Sequence, residues 1–239
     1  MTAFAACEEL VRRHDPDRFL SALFAPAEKR RFLYGLYAFN YEMAHISEAV
    51  HEPMIGEIRL AWWRETVEGA RAGMPRNHDV AKALAETFAA NDLPEELFEK
   101  MIEARSFDVS TDSFADIDAL EAYADATSGS LMRLAALVLG VEADDLAREA
   151  GIAYALTGML RAIPLHAAHS KHFVADDLVA ALTQRAQLHL DAARRIAMPK
   201  QALAAFLPAA LVPLYLKRPQ APQWLRQIAF LRAAIRGHL

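Results

Sequence analysis

The sequence predicts an all-α protein, a helical bundle that encloses a central pocket, and three observations carry that reading. Apolar residues recur at three- and four-residue steps, most plainly Phe32, Leu36, Phe39, Met43 and Ile46, which places them on one face of a helix. Alanine and leucine dominate the 239 residues, while glycine is scarce at nine and proline stands at eleven, a bias towards helix over strand. No stretch alternates apolar and polar residues in the way a half-buried strand would.

Taken in order, the first clear element is a long helix over 29–50. Pro53 and Gly56 punctuate the chain near one turn, and Gly73 and Pro75 near another. Pro94 opens a helix over 94–107, and further helices are expected over 116–139, 143–163, 175–197, 200–217 and 222–237. The stretches 131–139 and 151–160 are apolar on more than one face, as central helices enclosed by others would be. An enclosing bundle of this kind leaves room for a pocket in its middle. No Gly/Ser/Pro-rich linker and no repeat of fixed period divides the chain, so residues 1–239 are read as one domain.

Composition narrows the function classes. The formal net charge is −5, and no basic stripe with interleaved aromatics is present, which argues against a nucleic-acid partner. The single cysteine, Cys7, cannot form an internal disulfide and fits a reducing compartment as a bystander thiol. Glu8 and Glu9 interrupt the N-terminal segment before a signal-peptide core develops, so a cytoplasmic location is expected. The longest apolar run, 202–216, holds fifteen residues with Pro208 and Pro213 among them, against roughly twenty for a bilayer span. It reads as a buried, kinked helix. Its flanking Lys200, Lys217 and Arg218 leave peripheral contact with an inner membrane open.

Three constellations are candidates for chemistry. In Tyr37-Ala-Phe-Asn-Tyr-Glu-Met-Ala-His-Ile-Ser-Glu48, the residues Glu42, His45 and Glu48 share part of one helical surface. That spacing suits a solvated stripe, or the Glu-x-x-His element of a di-iron bundle repeated at Glu48 and His51, although such bundles draw these elements from different helices. In the second, an apolar helix containing Gly151 and Gly158 delivers Arg161 ahead of Pro164. A guanidinium there either binds a phosphate or carboxylate or caps the helix C-terminus, and the second is the expectation. His166, His169 and His172 follow at a step that does not hold three metal ligands on one face. The third is Asp108 with Asp112, which would share a magnesium ion through water or, beside Ser106, Ser110, Thr111 and Ser113, serve as caps. Capping is the expectation.

In this order the segments resemble the squalene/phytoene synthase family of head-to-head prenyl transferases. Tyr37-Ala-Phe is similar to the approach to that family's first aspartate-rich motif, and Trp63-Arg64 with His78 and Val80 to the region after it. Tyr123 with Ser128, Gly129 and Leu131 resembles the central tyrosine and small-residue turn. Gly151, Ala153, Leu156, Thr157, Leu160 and Arg161 resemble the helix of the second motif. The resemblance implies an isoprenoid-synthase fold and, in an active member, magnesium held by aspartates on two facing helices to ionise prenyl diphosphates. Against that pattern, Tyr41 replaces an arginine, Ala44 and His45 replace the paired aspartates, only Glu48 stays acidic, and Ala162 and His166 replace aspartates of the second motif.

A pair of unit charges about 4 Å apart is worth roughly 4 kcal/mol at an effective dielectric of 20, so losing even one metal ligand would slow catalysis about a thousandfold. The runs Phe39-Asn-Tyr-Glu-Met-Ala, Ile55-Gly-Glu-Ile-Arg-Leu-Ala-Trp-Trp-Arg-Glu-Thr-Val-Glu and Leu160-Arg-Ala-Ile-Pro-Leu-His are similar to the branch of the family that assists assembly of respiratory complex I. The resemblance therefore implies a binder with no bound metal or cofactor, taking a lipid or prenyl-type ligand or an assembly partner. Its degenerate first motif is Tyr37, Tyr41, Glu42, His45 and Glu48, its degenerate second motif Leu156, Thr157, Arg161 and His166, and its central turn Tyr123, Ser128 and Gly129. The alternative is an active prenyl transferase using magnesium.

Overall fold

A computed structural model describes residues 1–50, 52–110, 113–168 and 178–239, and their side chains except those of 164–168. Among the described residues the regular structure is helical throughout. Helix α1 (Ala3–His14) starts where the Thr2 hydroxyl accepts from the Ala5 amide. Asp15 then serves as the N-cap of α2 (Pro16–Ala22), accepting from the Arg18 amide, with Pro16 supplying the fixed φ of the first helical position.

The expected long helix is α3 (Ala27–Ala49), and its buried run from Phe32 to Phe39 makes it a central rod against which α1, α5 (Asp79–Ala90), α6 (Glu95–Val109) and α8 (Ser130–Val138) pack. Helix α4 (Pro53–Arg71) flanks α3 and α6. Pro53 does begin a helix, but Gly56 belongs to the interior of α4 and not to a turn. A Cβ on Gly56 would stand 2.6 Å from a Val109 methyl, so the residue is small because α4 and α6 approach closely.

The helix expected over 116–139 is divided. Asp116 caps α7 (Ile117–Ala124), the backbone widens into a π-helical turn at Asp125–Gly129, and α8 continues from it. Such π turns insert one extra residue and frequently accompany functional sites. Helix α9 (Asp144–Ala168) runs five residues past the expected end at 163, and α10 (Leu178–Arg195) packs along it. Residues 175–177 of the expected helix lie outside the described residues.

The apolar run 202–216 is not one helix. A short 3-10 turn (Lys200–Ala202), α11 (Leu203–Phe206), a second 3-10 turn (Leu207–Leu211) and α12 (Val212–Lys217) succeed one another. Pro208 and Pro213 each sit in the first turn of a new piece, where a missing amide proton costs nothing. Most of this run is buried, so it cannot itself lie on a membrane. The last helix, α13 (Gln223–Arg236), ends at Gly237 in the left-handed conformation (φ 70°). The large core surrounds α3, a second cluster joins Leu120, Ile152, Leu156 and Leu182, and a third joins Leu207, Leu211, Tyr215 and Phe230.

Candidate functional site

Two polar clusters lie inside the bundle, and charge couples them. In the first, Arg18 donates to Asp15 at 2.8 Å, and its guanidinium lies 5.0 Å from the centre of the Tyr154 ring and 5.9 Å from that of Tyr37. Burial opposes the charge of Arg18, but Asp15, Tyr154 and Tyr37 together more than offset it, so the group is held above the ordinary arginine range. Burial pushes the Tyr37 hydroxyl up, and the positive charge of Arg18 works against that shift.

The second cluster joins α6 to α7. Tyr123 donates to Asp108 at 2.7 Å, and Arg105 donates to the Tyr123 oxygen at 2.7 Å and to Asp108 at 2.8 Å. Burial pushes the Tyr123 hydroxyl well above its ordinary value; Arg105 works against this shift and Asp108 adds to it. Asp108 is therefore the half-buried partner of an arginine and a tyrosine, not the cap that its neighbours in sequence suggested. The positive charge of Arg18 acts on Arg105, and the buried Arg105 Nε has no hydrogen-bond partner among the described residues.

Beside the first cluster, Asp17 is almost fully buried and accepts three hydrogen bonds: 2.5 Å from the Tyr215 hydroxyl, 2.6 Å from Arg226 Nη1 and 3.3 Å from the Tyr154 hydroxyl. Arg161 reaches the same place. Its guanidinium stacks 3.7 Å from the Tyr215 ring centre, donates to the Pro219 carbonyl at 2.9 Å and stands 4.0 Å from Asp17. The expected role as a helix C-cap is corrected: α9 continues beyond Arg161, whose side chain crosses to the C-terminal segment.

The residues expected to form the first motif divide between the interior and the outer part of α3. Tyr37 faces the interior. Tyr41 stacks between His14 (4.4 Å) and His45 (5.3 Å), and His45 Nδ1 lies 2.8 Å from Glu48, which is 67% exposed. Glu42 and His45 line a cleft of about 250 Å³ between α3 and α4, together with Ile46, Arg59, Trp62, Trp63 and His78. Trp63 and His78, fifteen positions apart, meet edge to face at 5.2 Å.

In the second motif, Leu156 belongs to the apolar core, and the Thr157 hydroxyl donates to Ala153 within its own helix. Arg161 is the member that reaches the polar interior. The side chain of His166, and His51, Asp112, His169 and His172, lie outside the described residues. The central-turn residues Ser128 and Gly129 stand in the π turn against Gly151, where a Cβ would come within 2.5 Å of the Gly129 Cα. Cys7 is buried, and burial pushes its thiol up to about 12, with Asp79 and Glu42 adding to the shift.

A magnesium ion requires several oxygen ligands in octahedral array. Ala44 and Ala162 supply none, and Glu48 is an exposed carboxylate already paired with His45. The described residues at these positions do not fit the ion. Sequence reasoning missed Asp15, Asp17, Arg18, Arg105, Tyr154, Tyr215 and Arg226. The one signal available for the first three was an Asp-Pro-Asp-Arg run that also reads as a simple helix cap.

A helical bundle with a charged and tyrosine-rich interior, entered from two motif helices, defines the class. The squalene/phytoene synthase family model matches residues 11–174, and the chain belongs to that family. Its relatives include NADH dehydrogenase (ubiquinone) complex I, assembly factor 6, of Bos taurus, 30% identical over 242 residues that span 90% of this chain and 73% of that one. The Homo sapiens counterpart is 33% identical over 175 residues, 72% of this chain and 53% of the other. Among solved structures, a dehydrosqualene synthase superposes with a TM-score of 0.83 over 98% of this chain and 96% of its own, at 15% identity. That likeness shows the isoprenoid-synthase fold.

Proposed function

We propose that the chain works by binding and not by prenyl transfer, as an assembly factor for a respiratory NADH dehydrogenase, with its polar interior holding a lipid-like ligand. The observation that carries this reading is the exchange of chemistry at the motif positions. Where magnesium-binding carboxylates would be needed the chain has Ala44, His45 and Ala162, and its buried Asp17 and half-buried Asp15 and Asp108 are each paired with an arginine. A carboxylate neutralised in this way gives little to a metal, and the interior instead offers arginines and tyrosines to a polar headgroup. Similarity to the assembly-factor proteins over most of the chain supports the same reading.

Deleting the gene tests it. Assembled complex I and its NADH:quinone activity are expected to fall, and both the wild-type chain and Glu48→Ala are expected to restore them. Complex I left unchanged by the deletion would overturn the assembly role. Condensation of farnesyl or geranylgeranyl diphosphate by the purified protein with magnesium or manganese, abolished in Glu48→Ala, would overturn the binding role. Native mass spectrometry with lipid extraction reads the ligand directly.

A further inference from the structure

The C-terminal fifth of the chain differs in charge from the rest. Residues 192–239 contain eight lysines and arginines and no aspartate or glutamate, although the whole chain carries −5. The acidic excess therefore belongs wholly to residues 1–191. Within the basic segment, α13 buries Phe230 and Ala233 against the 3-10 turn at Leu207–Leu211, and its Arg226 turns inward to Asp17.

Among the described residues no element covers the opposite face of α13. Trp224, Ile228, Leu231 and Ile235 recur at steps of four, three and four, and their exposures are 58%, 37%, 52% and 84%. These residues fall within about 60° of one another around the helix, directly away from the buried face. Exposed Arg232 and Arg236 flank this stripe, and exposed Lys217 and Arg218 precede the helix. Beside α13, the turn after α2 exposes Leu23 and Phe24, the latter 6.4 Å from Phe230 ring to ring. Asp17, the carboxylate beneath the helix, is buried and neutralised by Arg226 and so does not repel an anionic surface.

We propose that α13 docks the protein on an anionic membrane surface, its Trp224, Ile228, Leu231 and Ile235 stripe inserting at the headgroup level while the flanking arginines meet lipid phosphates. This combination of an apolar stripe, basic flanks and an interfacial tryptophan has the chemistry of a helix lying in the bilayer interface. Charge complementarity favours a bilayer over a second copy of the chain, since a stripe flanked by arginines would meet the same arginines across a two-fold axis. No helix among the described residues is long and apolar enough to span a membrane, so the contact is peripheral. The inference is independent of the assembly role.

The test is co-sedimentation of the full chain with vesicles of phosphatidylcholine alone and of phosphatidylcholine mixed with phosphatidylglycerol. Binding is expected only to the mixed vesicles and is expected to weaken with salt. Ile235→Glu is expected to weaken it about tenfold, the effect of withdrawing one apolar side chain from the interface. Arg232→Gln and Arg236→Gln are each expected to weaken it about fivefold. All three positions are exposed, and far-UV circular dichroism confirms folding of the variants. Absence of binding to the mixed vesicles, or equal binding by Ile235→Glu, overturns the proposal. So does a dimer of the wild-type chain that Ile235→Glu converts to monomer, because the stripe would then be covered by a second copy.

Discussion

Replacing Asp17 with alanine removes the acceptor that ties α2 to the C-terminal segment, and its cost follows from what the deletion strands. Arg226 loses a 2.6 Å ion pair whose side chains are 15% and 6% exposed, and the Tyr215 and Tyr154 hydroxyls lose their bonds at 2.5 and 3.3 Å. Breaking a buried pair from one side costs about 3–5 kcal/mol, and each stranded hydroxyl about 1–3 kcal/mol where water cannot reach it. These contributions overlap, and Arg226 can turn partly to solvent, so about 4 kcal/mol is expected for Asp17→Ala.

For a chain of this size, that is a fall in Tm of about 8–16 °C by calorimetry, with urea unfolding followed by circular dichroism as the second measure. Asp17→Asn, which keeps an acceptor oxygen, is expected to lose about half as much. In the double variant with Arg226→Met, the charge left unpaired in Asp17→Ala is also gone, and a coupling energy of about 1–2 kcal/mol is expected. A loss below about 1 kcal/mol for Asp17→Ala refutes the argument, since the cluster would then be solvated.

Gly151→Ala places a Cβ 2.5 Å from the Gly129 Cα and 2.6 Å from its nitrogen, and backbone atoms cannot rotate away. A loss of about 3 kcal/mol is expected on urea unfolding, whereas Gly158→Ala, with nothing within 4 Å, is expected to gain about 0.5–1 kcal/mol. At alkaline pH the sign follows from the tyrosines. Burial raises the hydroxyls of Tyr37, Tyr123, Tyr154 and Tyr215, and raises that of Tyr34 to about 12. A raised folded value means that their contribution is complete below the unfolded value of about 10 and is lost above it, as the unfolded chain releases protons first. Ultraviolet titration should therefore show these tyrosinates forming together with loss of helix, and their ionisation near pH 10 in a still-folded chain would contradict the burial assigned to them.

Much of the helical architecture was legible because it is written in nearest neighbours. The repeat of Phe32, Leu36, Phe39, Met43 and Ile46 fixes the buried face of α3, and the bounds of α6, α10 and α13 follow to within about three residues from apolar period and capping signals. Local signals misled where packing chose otherwise. Gly56 resembled a turn, yet it is the place where α4 meets Val109; Asp108 resembled a cap, yet Arg105 and Tyr123 hold it in the interior.

The order of the segments around Tyr37, Tyr123, Gly151 and Arg161 also carried the family resemblance, and the family model matches residues 11–174. The interior itself was decided by tertiary structure. Asp17 and Tyr215 are 198 positions apart, and no periodicity relates them. Hydrogen bonds of that range arise only when whole helices have packed, because burial then forces each stranded polar group to find a partner from whichever element lies opposite.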